Sequence, residues 1–395
     1  MAAVDVIILH PAAESGAAPE EDPDAGPGPG PLTRALADTR AALAEHHRRG
    51  FLTAGAATAR IVSDAQGRAL FGARLRALLA DMPAGRGLVL LGSGAIPLAT
   101  TADRRTFVAA GASLSRRALS NNRYSSDALA LTAEAAATLR DVPPELPTDN
   151  ALPRWLDEVA EVTVTDLRAR WHLGVDLDSP LDLFLVAAAD GCPPAIARLA
   201  DSLTTSRGDS LGDVDLVRNR LAGLRVVLAD SRAELILAGR TSAATLGWLE
   251  GHARCRVRAL VEERGFRASS RLAQAVGATP GSASEHRPQR PPRSVLGALL
   301  DRDGPAALGA RLAELGDAAL IDTRVLLAHR LGVEESAWPP PEDRFASDLL
   351  LAGDINDPWL AALTASAARA PIPVVLGGHS LVGPGVRLVA RRLSR

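Results

Sequence analysis

Residues 175–183 read Val-Asp-Leu-Asp-Ser-Pro-Leu-Asp-Leu, and this stretch carries much of the fold assignment for the first half of the chain. The alternation of apolar residues with Asp176 and Asp178 is typical of a short strand, in which side chains two positions apart face the same side. Ser179 and Pro180 favour a helix start, because Ser is a preferred N-cap residue and Pro is accepted in the first turn. The stretch therefore predicts a strand that leads directly into a helix at the end of an α/β domain.

Upstream of this stretch, short apolar strands alternate with helices. Residues 4–9 and 57–62 have the composition of strands, whereas residues 32–49 and 126–140 are predicted to be helical. Residues 88–91 form a fully apolar run that stops at Gly-Ser-Gly, which is typical of a buried parallel strand that opens into a loop. The alternation predicts an α/β fold with a Rossmann-like, mainly parallel sheet that is covered on both faces by helices.

The second half of the chain has a different composition. Stretches rich in Ala, Leu and Arg have helical periodicity at 183–202, 213–230, 243–263 and 294–331, and residues 372–376 have the composition of a terminal strand. We therefore predict an α/β domain at 1–190, a helical region at 191–276, a flexible linker rich in Pro, Ser and Gly at 277–293, and a C-terminal helical region with a terminal strand at 294–395.

The composition limits the classes of function. The chain has 395 residues, of which 47% are hydrophobic and 23% are charged, as in ordinary globular proteins. A formal net charge of -2 provides no overall attraction to nucleic acid or to an anionic membrane. No apolar stretch approaches the ~20 residues of a bilayer span, and the amino terminus lacks the pattern of a signal peptide. We therefore expect a cytoplasmic protein that binds a small molecule, with no nucleic acid or membrane partner; its oligomeric state stays open.

The basic residues and the cysteines exclude further classes of site. All 44 basic residues are Arg, because the sequence contains no Lys. Schiff-base chemistry and the lysine of a Walker A loop are therefore excluded, and phosphate recognition would have to use Arg side chains or backbone amides. Cys192 and Cys255 are isolated and belong to no C-x-x-C pattern, so they predict no zinc site.

Two segments resemble the MobA-like and phospholactate-guanylyltransferase-like nucleotidyltransferases, a family with a Rossmann-like fold of the GT-A type. Residues 88–103, whose core at 89–103 reads Val-Leu-Leu-Gly-Ser-Gly-Ala-Ile-Pro-Leu-Ala-Thr-Thr-Ala-Asp, are similar to the central strand of the family, its metal-site loop with the following Pro-Leu, and the start of the next helix. Residues 175–183 resemble its D-x-D-T-P-x-D-L signature. The resemblance covers the N-terminal half of the chain.

The resemblance implies a reaction and a set of residues. A substrate phosphate would attack the α-phosphate of a nucleoside triphosphate in line, while Mg²⁺ or Mn²⁺ neutralises the developing charge. Asp176 and Asp178 would be the catalytic and metal-binding carboxylates. Ser93 and Gly94 would bind substrate through backbone N–H groups of the loop that follows the central strand. For Asp178, simple capping of the next helix is the alternative interpretation.

Polar loops provide further candidates for substrate binding. A cluster before a predicted helix contains Asn121, Asn122, Arg123 and Asp127. Amide and guanidinium groups suit a loop that reads a base or a phosphate, whereas an ordinary turn with an N-cap is the alternative. Asp149 precedes another predicted helix and is interpreted as either a ligand or a cap.

One further candidate lies in the second half of the chain. His379 follows an apolar strand and two glycines, a position at which loops often carry functional residues, and it is added to the substrate-binding candidates. A serine hydrolase site at 378–383 is disfavoured, because its second glycine comes one residue too late for the G-x-S-x-G pattern.

Two departures from the family pattern bear on activity. The first strand leads into an acidic loop at 10–16 that lacks the basic residues of the family, and residues 92–95 provide no Asp after the central strand.

Three hypotheses for the function follow from the sequence. The first hypothesis is a protein that binds a nucleotide or a phosphorylated metabolite as a divergent nucleotidyltransferase. The second is a catalytically silent descendant that binds a ligand or a partner protein, and both departures favour it. An unrelated hydrolase that uses His379 is the third.

Overall fold

A computed structural model describes residues 2–11, 29–64, 70–80, 82–205, 214–263 and 292–390, and the chain forms two compact units. The first unit comprises Met1–Gly30, Arg34–Asp178 and Val186–Ser202, and the second comprises Pro31–Thr33, Ser179–Leu185 and Leu203–Arg395. The predicted linker at 277–293 lies outside the described residues apart from its last two positions, and so does most of the acidic loop after the first strand.

The first unit is built on one mixed sheet. Its strands are β1 (Val4–Pro11), β2 (Thr58–Asp64), β3 (Gly87–Gly92), β4 (Arg117–Ser120), β5 (Ala128–Leu131) and β6 (Thr163–Asp166). The strand order is β2-β1-β3-β5-β4-β6, in which β5 runs antiparallel to both neighbours and the other pairs are parallel. The chain therefore passes from β1 to β2 on one side and then returns to place β3 on the other side of β1.

Helices cover both faces of this sheet. The helices up to residue 205 are α1 (Pro31–Thr53), α2 (Phe71–Leu79), α3 (Thr101–Gly111), α4 (Ala133–Ala137), α5 (Leu152–Glu158), α6 (Pro180–Ala187) and α7 (Pro194–Thr205). The side chains of β1 alternate between two cores, because Ile8 packs with Phe51 and Phe107, whereas Ile7 packs with Phe71 on the opposite face. The predicted sheet with helices on both faces is confirmed.

The second unit contains a fully parallel sheet among many helices. Its strands are β7 (Glu234–Gly239), β8 (Arg256–Val261), β9 (Ala318–Asp322) and β10 (Val374–Gly377), in the order β10-β9-β7-β8. In the described part of the second unit the helices after residue 205 are α8 (Asp215–Ala229), α9 (Ala243–His252), α10 (Val295–Asp303), α11 (Leu308–Leu315), α12 (Thr323–Leu331), α13 (Pro341–Asp348), α14 (Pro358–Arg369), α15 (His379–Val382) and α16 (Gly385–Ala390). The α/β fold class with a helix-rich second half is confirmed.

Several short strands lie where the composition predicts helices. β5 lies within the helix predicted at 126–140, β8 within that at 243–263 and β9 within that at 294–331. All residues of β5 and β9 are buried, and a short apolar run without polar alternation has the same appearance in a strand as in a buried helix. The strand predicted for the D-x-D segment at 176–178 is also wrong, because this segment forms only a single bridge, at Asp176, after the 3-10 turn Trp171–Gly174.

Candidate functional site

The first unit contains a cavity with a volume of about 320 Å³ at the carboxyl ends of β1 and β3. Apolar residues such as Phe71 and Leu152 form part of its wall. Its charged lining consists of two arginines, Arg40 and Arg74, and four aspartates, Asp127, Asp149, Asp176 and Asp178. The cavity lined by these four aspartates is called the acidic cavity below. It brings together aspartates that are separated by up to 51 positions in the sequence.

The D-x-D segment reaches this cavity by pairing with the loop after β3. Ala95 and Asp176 form an isolated antiparallel bridge, and the N–H group of Leu177 donates to the carbonyl oxygen of Gly94 at 3.0 Å. A Cβ atom on Gly94 would lie 3.0 Å from the Leu177 carbonyl oxygen, so glycine permits this close approach. Leu177 is fully buried, whereas Asp176 and Asp178 on either side of it line the cavity.

Asp127 enters the cavity from the position directly before the antiparallel strand β5. Its carbonyl oxygen accepts a hydrogen bond from the N–H group of Gly92 at 3.1 Å, which places Asp127 beside the carboxyl end of β3. Asn121 holds the side chain, because its Nδ2 atom donates to Oδ2 of Asp127 at 3.1 Å. Asp127 therefore provides a carboxylate beside the loop that lacks the aspartate expected after the central strand.

Asp149 belongs to a 3-10 turn that is tied to the loop of Asp127. The Oδ1 atom of Asn150 accepts a hydrogen bond from the N–H group of Ser126 at 2.7 Å, which joins the two loops directly. Asp149 accepts from the N–H group of Asn150 at 2.8 Å. The capping interpretation of Asp149 is wrong, because Thr148 is the N-cap of this turn and Ala151 is that of α5. The Asp149 carboxylate instead lines the cavity and accepts a hydrogen bond within its own turn.

The negative charges of the aspartates act on one another in this cavity. Burial raises the pKa of Asp127 well above its ordinary value, and the negative charges of Asp176, Asp149 and Asp178 raise it further. Burial also raises the pKa of Asp149, with an additional rise from the charge of Asp178. Asp127 and Asp149 are therefore harder to ionise than ordinary aspartates, and additional positive charge in the cavity would favour their ionised forms.

Two arginines that the sequence did not single out line the same cavity. Arg40 in α1 donates through Nε to the carbonyl oxygen of Leu177 at 2.7 Å, and its Nη2 atom lies 3.2 Å from Oδ1 of Asp178. Asp178 therefore forms an ion pair, whereas the alternative interpretation made it a helix cap. The N–H group of Ser179, in the second unit, donates to Oδ2 of Asp182 at 2.8 Å, as expected when Ser179 occupies the N-cap position of α6.

Ser93 and Gly94 line the cavity, but most amides of their loop are already used. The N–H groups of Gly92, Ser93 and Ala95 donate to carbonyl oxygens within the protein. The prediction that Ser93 binds an anion through its backbone amide is therefore wrong. Its side chain takes a different role, because the Ser93 Oγ atom lies 3.0 Å from Nδ1 of His10.

Two residues of the polar cluster that was predicted to bind a base or a phosphate do not line the cavity. The Oδ1 atom of Asn122 accepts a hydrogen bond from the N–H group of Tyr124, which is the local turn that the alternative interpretation describes. Arg123 forms an ion pair with Asp157, with Nη2 and Oδ2 separated by 2.6 Å. Asn121, in contrast, is buried and acts through its contact with Asp127.

His379 belongs to the second unit. It begins α15 directly after β10, at the carboxyl edge of the parallel sheet. Asp322 lies at the end of the neighbouring strand β9. Burial opposes the ionisation of Asp322, but the guanidinium groups of Arg240 and Arg324 lower its pKa, with a smaller contribution from His379. The role of His379 in substrate binding stays a prediction.

The polar composition of their segments marked Asn121, Asp127 and Asp149 as candidate site residues, whereas Arg40, Arg74 and His10 had no distinguishing signal in the sequence.

Comparisons of the chain with protein-family models, curated proteins and solved structures found no match. Among the described residues, no helix combines the length and the apolar character needed to cross a lipid bilayer. Function is therefore inferred from the residues of the acidic cavity.

Proposed function

We propose that the first unit binds a nucleotide or another phosphorylated metabolite together with a divalent cation, and that the chain is a divergent nucleotidyltransferase. The observation that carries this proposal is the convergence of four aspartates on one cavity that two arginines also line. The resemblance of residues 89–103 and 175–183 to nucleotidyltransferase motifs points in the same direction.

The charges of the acidic cavity support the cation. Mg²⁺ and Mn²⁺ prefer carboxylate oxygens as ligands, and a bound cation would offset the repulsion that raises the pKa of Asp127. Asp176 and Asp178, whose carboxylate oxygens lie within 4.8 Å of each other, are the residues that would hold it, and Asp127 would add its negative charge from the same cavity. When bound, the cation would neutralise charge on a phosphate group during transfer.

The position of the cavity supports a phosphorylated ligand. β2 and β3 lie on opposite sides of β1, and ligands of open α/β sheets commonly bind at the carboxyl ends of strands where the chain reverses direction in this way. Arg40 and Arg74 supply the guanidinium groups that a chain without Lys needs for phosphate recognition. The apolar wall that contains Phe71 suits the organic part of the ligand.

A catalytically silent ligand-binding protein is the second candidate, and the donors of the cavity favour it. Arg40 already contacts Leu177 and Asp178, and three amides of the loop at 92–95 donate within the protein. Among the described residues, few backbone donors of this loop therefore remain beside β3 to stabilise a triphosphate during transfer. The two candidates differ in one measurable property, the dependence of nucleotide binding on the metal.

Thermal unfolding with Mg²⁺, Mn²⁺ and each common nucleoside triphosphate tests the proposal. We expect Mn²⁺ to raise the unfolding temperature and nucleotides to raise it further only when the metal is present, since a ligand at 100 times its Kd stabilises the folded state by about 2.7 kcal/mol. Nucleotide binding that is indifferent to metal would favour the silent protein. The absence of any shift with metal and nucleotide would contradict both candidates.

The variant Asp127→Asn links this test to the cavity. Removing a carboxylate whose ionisation is opposed by burial and by its neighbours should raise the unfolding temperature without metal and weaken the response to Mn²⁺. Asp141→Asn is the matched control, because Asp141 is exposed and does not line the cavity. An unchanged Mn²⁺ response in Asp127→Asn would place the metal elsewhere.

A further inference from the structure

His10 and Ser93 form a hydrogen-bonded pair at the ends of two adjacent central strands. Nδ1 of His10 lies 3.0 Å from Oγ of Ser93. The backbone sets this geometry, because Leu9 is paired with Gly92 in the parallel register and the N–H group of Ser93 donates to the Leu9 carbonyl oxygen at 2.8 Å. The sheet itself therefore holds the hydroxyl group against the imidazole.

The surroundings of the pair suit proton transfer. Burial lowers the pKa of His10, and the positive charge of Arg40 lowers it further, which favours the neutral imidazole. In the tautomer protonated at Nε2, the Nδ1 atom accepts the hydroxyl proton of Ser93. The second serine that lines the cavity, Ser126, instead has its Oγ atom 3.0 Å from that of Ser120, which offers no basic nitrogen.

We propose that Ser93 is a nucleophile of the acidic cavity and that His10 is its general base. A hydroxyl group within hydrogen-bond reach of a neutral imidazole is the arrangement that activates serine nucleophiles. The inference rests on the proposed function, because the electrophile is the α-phosphorus of a nucleoside triphosphate bound in the same cavity. It adds a covalent nucleotidyl-serine intermediate to that function.

The step balances without an oxidant or a reductant. Oγ of Ser93 forms a bond to the α-phosphorus while its proton passes to Nδ1 of His10. The bond from the α-phosphorus to the oxygen that bridges to the β-phosphorus breaks, and its electron pair leaves with pyrophosphate. A phosphate oxygen of the acceptor substrate then attacks the same phosphorus, and Ser93 Oγ leaves and recovers the proton from His10.

Intact-mass spectrometry of the full chain tests the intermediate. The protein is incubated with Mn²⁺ or Mg²⁺ and with ATP, GTP, CTP or UTP, and the reaction is quenched in acid. Peptide mapping locates the modified residue, while pyrophosphate release and Mn²⁺ binding are measured in parallel. We expect a nucleotidyl adduct on Ser93 with at least one triphosphate. The adduct should be absent from Ser93→Ala and should form about 100-fold more slowly or worse in His10→Asn.

The controls separate this inference from the proposed function. Ser113→Ala and His252→Asn change exposed residues outside the cavity and should leave adduct formation unchanged, and Ser93→Ala should still bind Mn²⁺. If metal and nucleotide bind but no adduct forms, or if pyrophosphate release persists in Ser93→Ala, the role of Ser93 is overturned. Neither outcome contradicts the proposed function. Absence of all metal and nucleotide binding overturns both proposals. If Ser93→Ala does not fold, His10→Asn decides the matter, because it keeps the hydroxyl group in place.

Discussion

Asn121 and Asp127 are joined by two hydrogen bonds, one that the Asn121 side chain donates and one that it accepts. Nδ2 of Asn121 donates to Oδ2 of Asp127 at 3.1 Å, and Oδ1 of Asn121 accepts from the N–H group of Asp127 at 3.1 Å. The same amide also donates to the carbonyl oxygen of Leu173 at 3.0 Å. A side chain with one acceptor and two donors is required here, and the buried amide therefore orients a carboxylate of the acidic cavity.

Replacing that amide with a carboxylate should disturb the cavity directly. Asn121→Asp removes the donors to Asp127 and Leu173 and places a second charge beside Asp127, so we expect Mn²⁺ affinity to fall about tenfold or more and stability to fall by about 1–3 kcal/mol. Calorimetric titration with Mn²⁺ and urea unfolding measure the two effects. Unchanged Mn²⁺ affinity would mean that Asn121 does not position Asp127 for the metal.

The second unit offers a matched control for this variant. Asn356 also donates through Nδ2 to an aspartate, Asp343, at 3.2 Å. Asn356→Asp should therefore lower stability in a similar way while leaving Mn²⁺ affinity unchanged, since neither residue lines the acidic cavity.

A methyl group at Gly94 should separate the D-x-D segment from the loop after β3. The Cβ atom of Gly94→Ala would lie 3.0 Å from the Leu177 carbonyl oxygen and 3.1 Å from Nε of Arg40, so one of these groups must move. We expect lower Mn²⁺ affinity and a lower unfolding temperature. Gly92→Ala is the control, because a Cβ atom there meets nothing within 4 Å, and equal effects of the two substitutions would contradict the steric explanation.

His47 should make stability depend on pH. It is fully buried, with Nε2 lying 2.8 Å from the carbonyl oxygen of Ala95, and burial together with the charge of Arg104 lowers its pKa from 6.5 to about 3. Below pH 6.5 the unfolded chain takes up a proton on this residue and the folded chain does not. Its contribution to stability is therefore complete above pH 6.5 and is lost as the pH falls towards 3, by about 1.4 kcal/mol per pH unit.

Urea unfolding at several pH values between 7 and 4 measures this slope. His47→Gln keeps an amide donor for Ala95 and removes the titration, so the variant should lose less stability on acidification than the parent chain. His252→Gln changes an exposed histidine and should follow the parent chain. Identical pH profiles for His47→Gln and the parent would show that His47 is not the group responsible.

A buried ion pair of the second unit should be sensitive to single substitutions. Arg324 contacts Asp348 through both terminal guanidinium nitrogens, with Nη2 and Oδ2 separated by 2.7 Å, and Asp348 is fully buried. Arg324→Met leaves that carboxylate without its cation and should cost about 3–5 kcal/mol, measured by urea unfolding and by hydrogen exchange in β9 and β10. Adding Asp348→Leu should restore most of the loss, and a neutral single variant would contradict this expectation.

Local patterns predicted β1, β2 and β3 of the first unit and β10 of the second, and missed the other strands. The apolar run at 88–91 and the β-branched run at 4–9 are strands because their residues are buried on both faces of the sheet. β9 was missed because Ala-Ala-Leu-Ile-Asp is equally compatible with a buried helix. β5 was missed for the same reason, and this error concealed that Asp127 directly precedes a strand.

The sequence likewise identified some residues of the candidate site and missed others. Asp176, Asp178 and Ser93 were recognisable because they lie in segments that resemble nucleotidyltransferase motifs, and Asp127 because it belongs to a polar cluster. Arg40 was not recognisable, because one arginine among several in a helix carries no positional signal in the sequence. Its contact with Asp178 depends on how α1 packs beside the loop after β3.

The sequence by itself determined part of the alternation of strands and helices, because side-chain periodicity and capping preferences act over a few neighbouring residues. Only the tertiary structure decided that β5 runs antiparallel beside β3 and that Asp127 lies beside the carboxyl end of β3. It also decided that His10 meets Ser93. These contacts depend on backbone hydrogen bonding between segments far apart in the chain, and local periodicity does not specify which strands become neighbours.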